Sequence, residues 1–130
     1  MKKVLIQDRF ASLEHVKKLR DLLDDRIDPK LVQTDFAFCL EEFKGDILNY
    51  NLILSHPHTD EHTDDGCCVP LIKTAHRSGI QVVLLYKTKY PPSEEIEAVA
   101  QNDNLEIIFR DSGNQWEVYS NAIKKYLLQK

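Results

Sequence analysis

Short runs of almost uninterrupted apolar residues mark the chain at intervals. They are Val4–Ile6, Leu52–Leu54, Val82–Leu85 and Glu106–Phe109. Runs of this length are typical of strands that are buried on both faces, as in a parallel sheet that is covered by helices. A further run, Leu31–Thr34, is half polar, so it predicts a strand at the edge of the same sheet.

Between these runs the apolar residues recur at helical spacing, which predicts helices that alternate with the strands. The predicted helices begin near Ser12, Asp35, Cys68, Ser93 and Ser112, and the first and third end at Asp28 and Gly79. Proline is tolerated in the first turn of a helix and not deeper. Pro70 therefore fixes the start of the third helix, and Ser55–Cys67 is predicted to be a loop.

The alternation of strand and helix predicts one α/β domain over residues 1–130. Connections of this length require parallel strands and right-handed crossovers. We expect a three-layer, flavodoxin-like, doubly wound five-stranded sheet with strand order 2-1-3-4-5. In that order strands one and three are neighbours, so Asp8 and His56, which follow them, are expected to face each other where ligands bind.

Composition and charge exclude several classes of function. The formal net charge is -4 and the basic residues are spread along the chain, whereas nucleic-acid binding requires a concentrated basic surface. There is no apolar run of about eighteen residues and no signal peptide, so we expect no membrane partner and a cytoplasmic location. Cys39, Cys67 and Cys68 form no disulfide framework, which fits a reducing compartment.

The chain lacks the signature of a dinucleotide or flavin site. None of its glycines, Gly45, Gly66, Gly79 and Gly113, lies between strand one and helix one. The segment Gln7–Ser12 therefore cannot form the glycine-rich turn that brings a backbone close to a pyrophosphate. We expect no cofactor.

Acidic and imidazole side chains are concentrated in the loop that follows strand three. They are His56, His58, Asp60, Glu61, His62, Asp64 and Asp65. A metal site is one interpretation, although Pro57 interrupts the His-x-His spacing that zinc prefers on a strand. A solvated acidic loop is the alternative, and we assign no metal ligand. Ser55 lies beside His56 but has no flanking glycine, as a nucleophile elbow would require.

The layout of the chain resembles the receiver domain of bacterial response regulators. The likeness is carried by "KKVLIQDR" at the first strand, "NLILSHP" at the third and "LEIIFRD" at the fifth. A working receiver has an acidic pair that holds Mg²⁺, a phosphoacceptor Asp, a hydroxyl and a Lys. Asp8 matches one acid of the pair. The other receiver positions hold Arg9, His56, Tyr86 and Arg110.

This resemblance implies a pseudo-receiver that has lost phosphorylation, because an imidazole cannot form the acyl phosphate. Asp8 is then expected to join Arg9 or Arg110, with His56, in a polar network that fixes one conformation. The function implied is a non-enzymatic signalling module that acts by protein contact, with a partner of unknown identity or a second copy of the chain. Its expected contact surface contains Tyr90, Ile96, Tyr119 and Tyr126, and the alternative is that these side chains only cover the core.

A weaker resemblance is to Toll/interleukin-receptor-like domains. It rests on "SLEHVKKLRDLLDD", "NYNLILS" and the Cys-containing helix before "GIQVVLL". Some members of that family cleave NAD with a Glu on the helix after the third strand. Here the helix "CVPLIKTAHRSG" contains no Glu and Glu61 lies too early. The resemblance therefore implies a nucleotide-binding domain more than an NAD-processing enzyme.

Overall fold

The computed structural model describes residues 1–8, 13–37, 46–56, 69–89, 92, 94–100, 104–110 and 115–128. The strands are β1 (Lys2–Gln7), β2 (Val32–Ala37), β3 (Leu52–Ser55), β4 (Gln81–Tyr86) and β5 (Leu105–Phe109). The helices are α1 (Leu13–Asp24), α2 (Val69–Arg77), α3 (Glu94–Val99) and α4 (Gln115–Ile123). A 3₁₀ turn at Ile47–Asn49 precedes β3, and a π-helical turn at Lys124–Leu128 continues α4. Within these ranges, no helix is both long and apolar enough to cross a bilayer.

The strands form one sheet in the order β2-β1-β3-β4-β5, and every neighbouring pair is parallel. The predicted sheet and strand order are therefore confirmed. The order reverses between β1 and β3, because the chain leaves β1 towards β2 on one side and leaves β3 towards β4 on the other. Gln7 pairs with Ser55 at the carboxyl ends of these two strands, so the residues that follow them are adjacent.

The core is divided by the sheet into two apolar clusters, which gives the fold three layers. Ile53 and Leu84 face one cluster, where they meet Ile72 of α2 and Ile96 of α3. The neighbouring strand residues face the other cluster, which α1 and α4 cover. Because successive strand residues point to opposite faces, each buried strand supplies both clusters, which explains its uninterrupted apolar sequence.

Helix α2 ends at a glycine for a conformational reason. Gly79 has a φ of 84°, a backbone conformation that costs glycine nothing and strains other residues. There the amide of Ile80 donates to the carbonyl of Ala75 at 3.1 Å and closes the last turn. This is the glycine-terminated helix end that the sequence predicts.

One predicted helix start is wrong. Asp35 does not begin a helix, because β2 runs through it to Ala37 and remains paired with β1 to the end, where Gln7 is opposite Ala37. The ladder hydrogen bonds outweigh the capping preference of Asp, and the carboxylate of Asp35 instead accepts the hydroxyl of Tyr50 at 2.7 Å. The rest of that predicted helix lies outside the described residues.

Candidate functional site

The candidate site lies at the carboxyl edge of the sheet, where the strand order reverses between β1 and β3. Open parallel sheets bind ligands in the crevice at such a point. Two backbone hydrogen bonds extend the sheet into this crevice. The amide of His56 donates to the carbonyl of Gln7 at 2.8 Å, and the amide of Asp8 donates to the carbonyl of Ala37 at 3.2 Å. Asp8 and His56 are thus held by the rigid part of the fold.

Asp8 and His56 contact each other as the topology predicts. The Nδ1 atom of His56 lies 3.1 Å from Oδ1 of Asp8. The second carboxylate oxygen, Oδ2, accepts a hydrogen bond from the hydroxyl of Tyr119 in α4. Asp8 is 5% exposed, whereas the side chain of His56 is 19% exposed. Asp8 is therefore held on both oxygens, and the imidazole is the more accessible member of the pair.

The environment keeps Tyr119 in its donor form. Burial, followed by the negative charge of Asp8 and the hydrogen bond to it, raises the pKa of Tyr119 well above its ordinary value. All three causes act against the phenolate, because the charged form is poorly solvated and faces a carboxylate. Tyr119 is therefore a neutral phenol near neutral pH, and its hydrogen remains available to Asp8.

The contact between Asp8 and His56 defines the chemistry of the imidazole. When Nδ1 carries the hydrogen that is donated to Asp8, Nε2 has the lone pair and can accept a proton. A carboxylate in this position also stabilises the imidazolium that forms. The arrangement is that of a general base with its orienting acid. Asp8 itself is poorly placed for nucleophilic attack, since both of its oxygens are engaged.

A second polar pair lies one residue earlier on the same strands. The hydroxyl of Ser55 donates to Oε1 of Gln7 at 2.5 Å, and the two residues are 1% and 0% exposed. This hydrogen bond and its burial remove Ser55 as a nucleophile. Sequence analysis did not predict the pair, although the polar residues that close "LIQD" and "LILSH" are the signal that could have found it.

Tyr86 and Arg110, the other described members of the predicted receiver pocket, have no contact with Asp8 or His56 among the hydrogen bonds and ion pairs of the described residues. Tyr86 is buried in the apolar cluster on the opposite face of the sheet, with Leu84. The described ion pair of Arg110 is with Glu117 of α4, at 3.8 Å. The predicted polar network thus contains Asp8 and His56 but runs to Tyr119 instead of Arg110. Arg9 lies outside the described residues.

The predicted contact surface is largely part of the core. Ile96 and Tyr119 are 0% and 1% exposed, so these two side chains offer no surface to a partner. Each side chain packs on the sheet from its own helix, Ile96 from α3 and Tyr119 from α4. This packing explains why each belongs to a regular helical repeat of apolar residues. Tyr126 is half-buried and donates to Glu106 at 3.0 Å. Tyr90 is not among the described residues, and a protein partner or homodimer stays a prediction.

No group of three or more His, Cys, Asp or Glu residues that could hold a metal is present in the described parts of the chain. The predicted acidic loop from His58 to Asp65, Cys39 and the pair Cys67-Cys68 fall outside those parts. The structure therefore does not test whether this loop is a metal site or a solvated acidic loop.

Comparisons with known proteins give one informative likeness. No protein-family model matches the chain, and no curated protein is significantly similar to it in sequence. Among solved structures, the chain is similar to the CMP N-glycosidase BcmB of Clostridium botulinum, with a TM-score of 0.56 and 18% identity. The likeness covers 97% of this chain and 100% of BcmB. At this identity it shows a common fold.

This likeness overturns the interpretation of the chain as a non-enzymatic signalling module. BcmB, a solved structure that shares the fold over almost the whole chain, is an enzyme. The departures from the receiver pattern at His56 and Arg110 argue against receiver chemistry and do not argue against another enzyme activity. The resemblances to receiver and Toll-like domains themselves stay predictions.

Proposed function

We propose that the chain hydrolyses the N-glycosidic bond of a nucleoside or nucleotide, with His56 as the general base. The observation that carries the proposal is the contact between Asp8 and His56 at the reversal of the strand order. The similarity in fold to a CMP N-glycosidase supports the choice of reaction.

His56 can carry out both proton transfers of the hydrolysis. Nε2 of His56 takes a proton from a water molecule as its oxygen attacks the anomeric carbon C1′ of the sugar. The bond from C1′ to the base nitrogen breaks, its electron pair leaves with the base, and the imidazolium returns the proton to that base. The products are the free base and a sugar with a hydroxyl group at C1′. Cleavage of glycosidic bonds passes through a transition state with oxocarbenium-ion character.

Asp8 and Tyr119 act through His56. The carboxylate of Asp8 keeps the hydrogen on Nδ1 and offsets the positive charge of the imidazolium. The hydroxyl of Tyr119 holds the other oxygen of Asp8, which fixes the direction of the carboxylate. Both are therefore positioning residues, and the catalytic residue of the pair is His56.

The test is the release of free base from a panel of cytidine, uridine, adenosine and guanosine and their 5′-monophosphates. Chromatography of the reaction mixture separates each base from its nucleoside and nucleotide. We expect at least one substrate to release its base in proportion to the protein concentration. If the folded protein releases base from no member of the panel, the proposal is wrong.

A matched pair of variants separates His56 from a contaminating activity. His56→Gln removes the base, whereas His15→Gln changes an exposed histidine of α1. We expect base release to be lost in the first variant and unchanged in the second. Equal activity of the two variants would contradict the assignment of His56.

A further inference from the structure

Among the described residues at the carboxyl edge of the sheet, two cations lie on the side of β4 and β5. Asp8 and His56 follow β1 and β3, whereas the cations Lys87 and Arg110 follow β4 and β5. We infer that Arg110, with Lys87 beside it, binds the phosphate group of the substrate, so that the substrate is a nucleotide and not a nucleoside. This inference rests on the proposed function for the identity of the substrate.

Arg110 lies on the same face of the sheet as the catalytic pair. Its amide donates to the carbonyl of Tyr86 at 2.9 Å, which continues the β4–β5 ladder by one residue. Alternation along the strand then places Arg110 on the face of Ile108, which packs against the cluster under α1 and α4. Asp8 faces the same layer through its contact with Tyr119 of α4.

The guanidinium of Arg110 has an N–H donor that no described residue accepts. Its Nε atom is buried, and no acceptor in the described part of the chain lies within hydrogen-bond distance of it. Its ion pair with Glu117 is 3.8 Å long, beyond the range of a hydrogen bond. Guanidinium carries five N–H donors, and a buried donor without an acceptor costs free energy. Phosphate oxygens satisfy such donors, often two at a time.

The spacing of the strands suits a sugar phosphate. Neighbouring strands lie about 4.8 Å apart, so the end of β4 is one spacing from His56 and the end of β5 is about 10 Å away. An arginine side chain is long enough to reach across part of the second distance. A sugar whose C1′ lies at His56 can therefore direct its phosphate towards the ends of β4 and β5.

Binding of ribose 5-phosphate and of ribose, measured by calorimetry, tests the inference without catalysis. We expect the wild type to bind ribose 5-phosphate more tightly than ribose, and Arg110→Gln to weaken ribose 5-phosphate binding by about ten- to a hundredfold. Arg77→Gln is the matched control, because it removes the same charge from the last residue of α2, at the opposite edge of the sheet. Equal weakening by both variants, or no weakening by Arg110→Gln, would overturn the inference.

A second variant distinguishes phosphate binding from a merely structural role. Glu117 is an exposed competitor for the guanidinium, so Glu117→Gln is expected to strengthen ribose 5-phosphate binding. If Arg110 served only to hold Glu117, then Glu117→Gln would leave binding unchanged or weaken it.

The hydrolysis assay separates failure of this inference from failure of the proposed function. If the wild type cleaves cytidine as well as CMP, the inference fails and the proposed function stands. If nothing is cleaved but ribose 5-phosphate binds through Arg110, the proposed function fails and the phosphate site stands. If both hold, the wild type cleaves CMP much faster than cytidine, and Arg110→Gln lowers the rate on CMP towards the rate on cytidine.

Discussion

Two polar pairs join the ends of β1 and β3, and they differ in what surrounds them. Gln7 and Ser55 are neutral and almost completely buried. Asp8 and His56, one residue further, are ionisable, and the imidazole is partly exposed. The earlier pair lies on the face covered by α2 and α3, and the later pair on the face covered by α1 and α4.

The difference shows how one sheet edge serves both folding and chemistry. A buried neutral pair with its hydrogen bond formed adds stability and fixes the register of the two strands. An imidazole that is partly exposed at the crevice and oriented by a buried carboxylate can exchange protons with a ligand. We therefore expect changes in the first pair to alter stability and changes in the second to alter activity.

The largest expected effect is the loss of turnover when Asp8 or His56 is changed. His56→Gln should lower kcat by about 10²- to 10⁴-fold, because the general base is lost. Asp8→Asn should also lower kcat, since a neutral amide does not stabilise the imidazolium. The rate of base release is the measurement, with His15→Gln as the control. Turnover by His56→Gln at the wild-type rate would remove the distinction between the two pairs.

The next largest effect is a loss of protein stability when the pair Gln7–Ser55 is changed. Ser55→Ala should lower the free energy of unfolding by about 1–3 kcal/mol, because Oε1 of Gln7 loses its buried donor. Denaturant titration measures the change, and Ser78→Ala, in an exposed serine, is the control. Activity per folded molecule should be unchanged, and a loss of activity without a loss of stability would contradict this assignment.

The double variant Gln7→Met/Ser55→Ala sharpens the same point. Removal of both polar partners is expected to be less costly than removal of one, because no buried acceptor is left behind. The free energy of unfolding of the double variant should therefore exceed that of Ser55→Ala. A lower value would show that the pair stabilises the fold through contacts other than this hydrogen bond.

A smaller effect on turnover is expected when Tyr119 of α4, which contacts Asp8, is changed. Tyr119→Phe keeps the ring but removes the donor to Oδ2 of Asp8, so kcat should fall by about tenfold or less. The fall should appear in kcat and not in KM, because Tyr119 acts through Asp8 and does not touch substrate. Steady-state kinetics measures the split, and a change in KM alone would contradict a positioning role.

The last effect is confined to alkaline solution. The pKa of Tyr119 is raised by folding, so its contribution to stability is complete below the ordinary tyrosine pKa of about 10 and declines as the pH rises above it. Above pH ~10 the wild type should lose up to about 1.4 kcal/mol per pH unit more than Tyr119→Phe. Tyr50 and Tyr126 have raised pKa values too, but both proteins contain them. Parallel curves of unfolding free energy against pH would contradict the burial of an ionisable Tyr119.

The sequence predicts the backbone of the site better than its side-chain contacts. The strand order follows from the alternation of buried runs and helices, and it brings Asp8 and His56 together. The hydrogen bond from Tyr119 could not be predicted, because it joins residues 111 positions apart and depends on how α4 lies on the sheet. Helical spacing identifies Tyr119 as a residue that faces the sheet, but not which atom its hydroxyl meets.

The function was harder to predict for a different physical reason. Comparison with a receiver identifies positions where this chain differs from that family, such as His56, but it does not show what the side chain does there. The role of His56 depends on its distance from Asp8, which is a property of the folded chain. The extension of β2 through Asp35 likewise depends on pairing with β1, which local capping preferences do not include.

The most direct test incubates each of the four nucleoside 5′-monophosphates with the protein and follows the mixture by nuclear magnetic resonance. We expect the signals of at least one nucleotide to be replaced by those of its free base and ribose 5-phosphate in equal amounts, and His56→Gln to abolish the conversion. If all four nucleotides stay unchanged in the presence of folded protein, nucleotide hydrolysis is contradicted. Conversion by His56→Gln at the wild-type rate would contradict the assignment of His56 as the base.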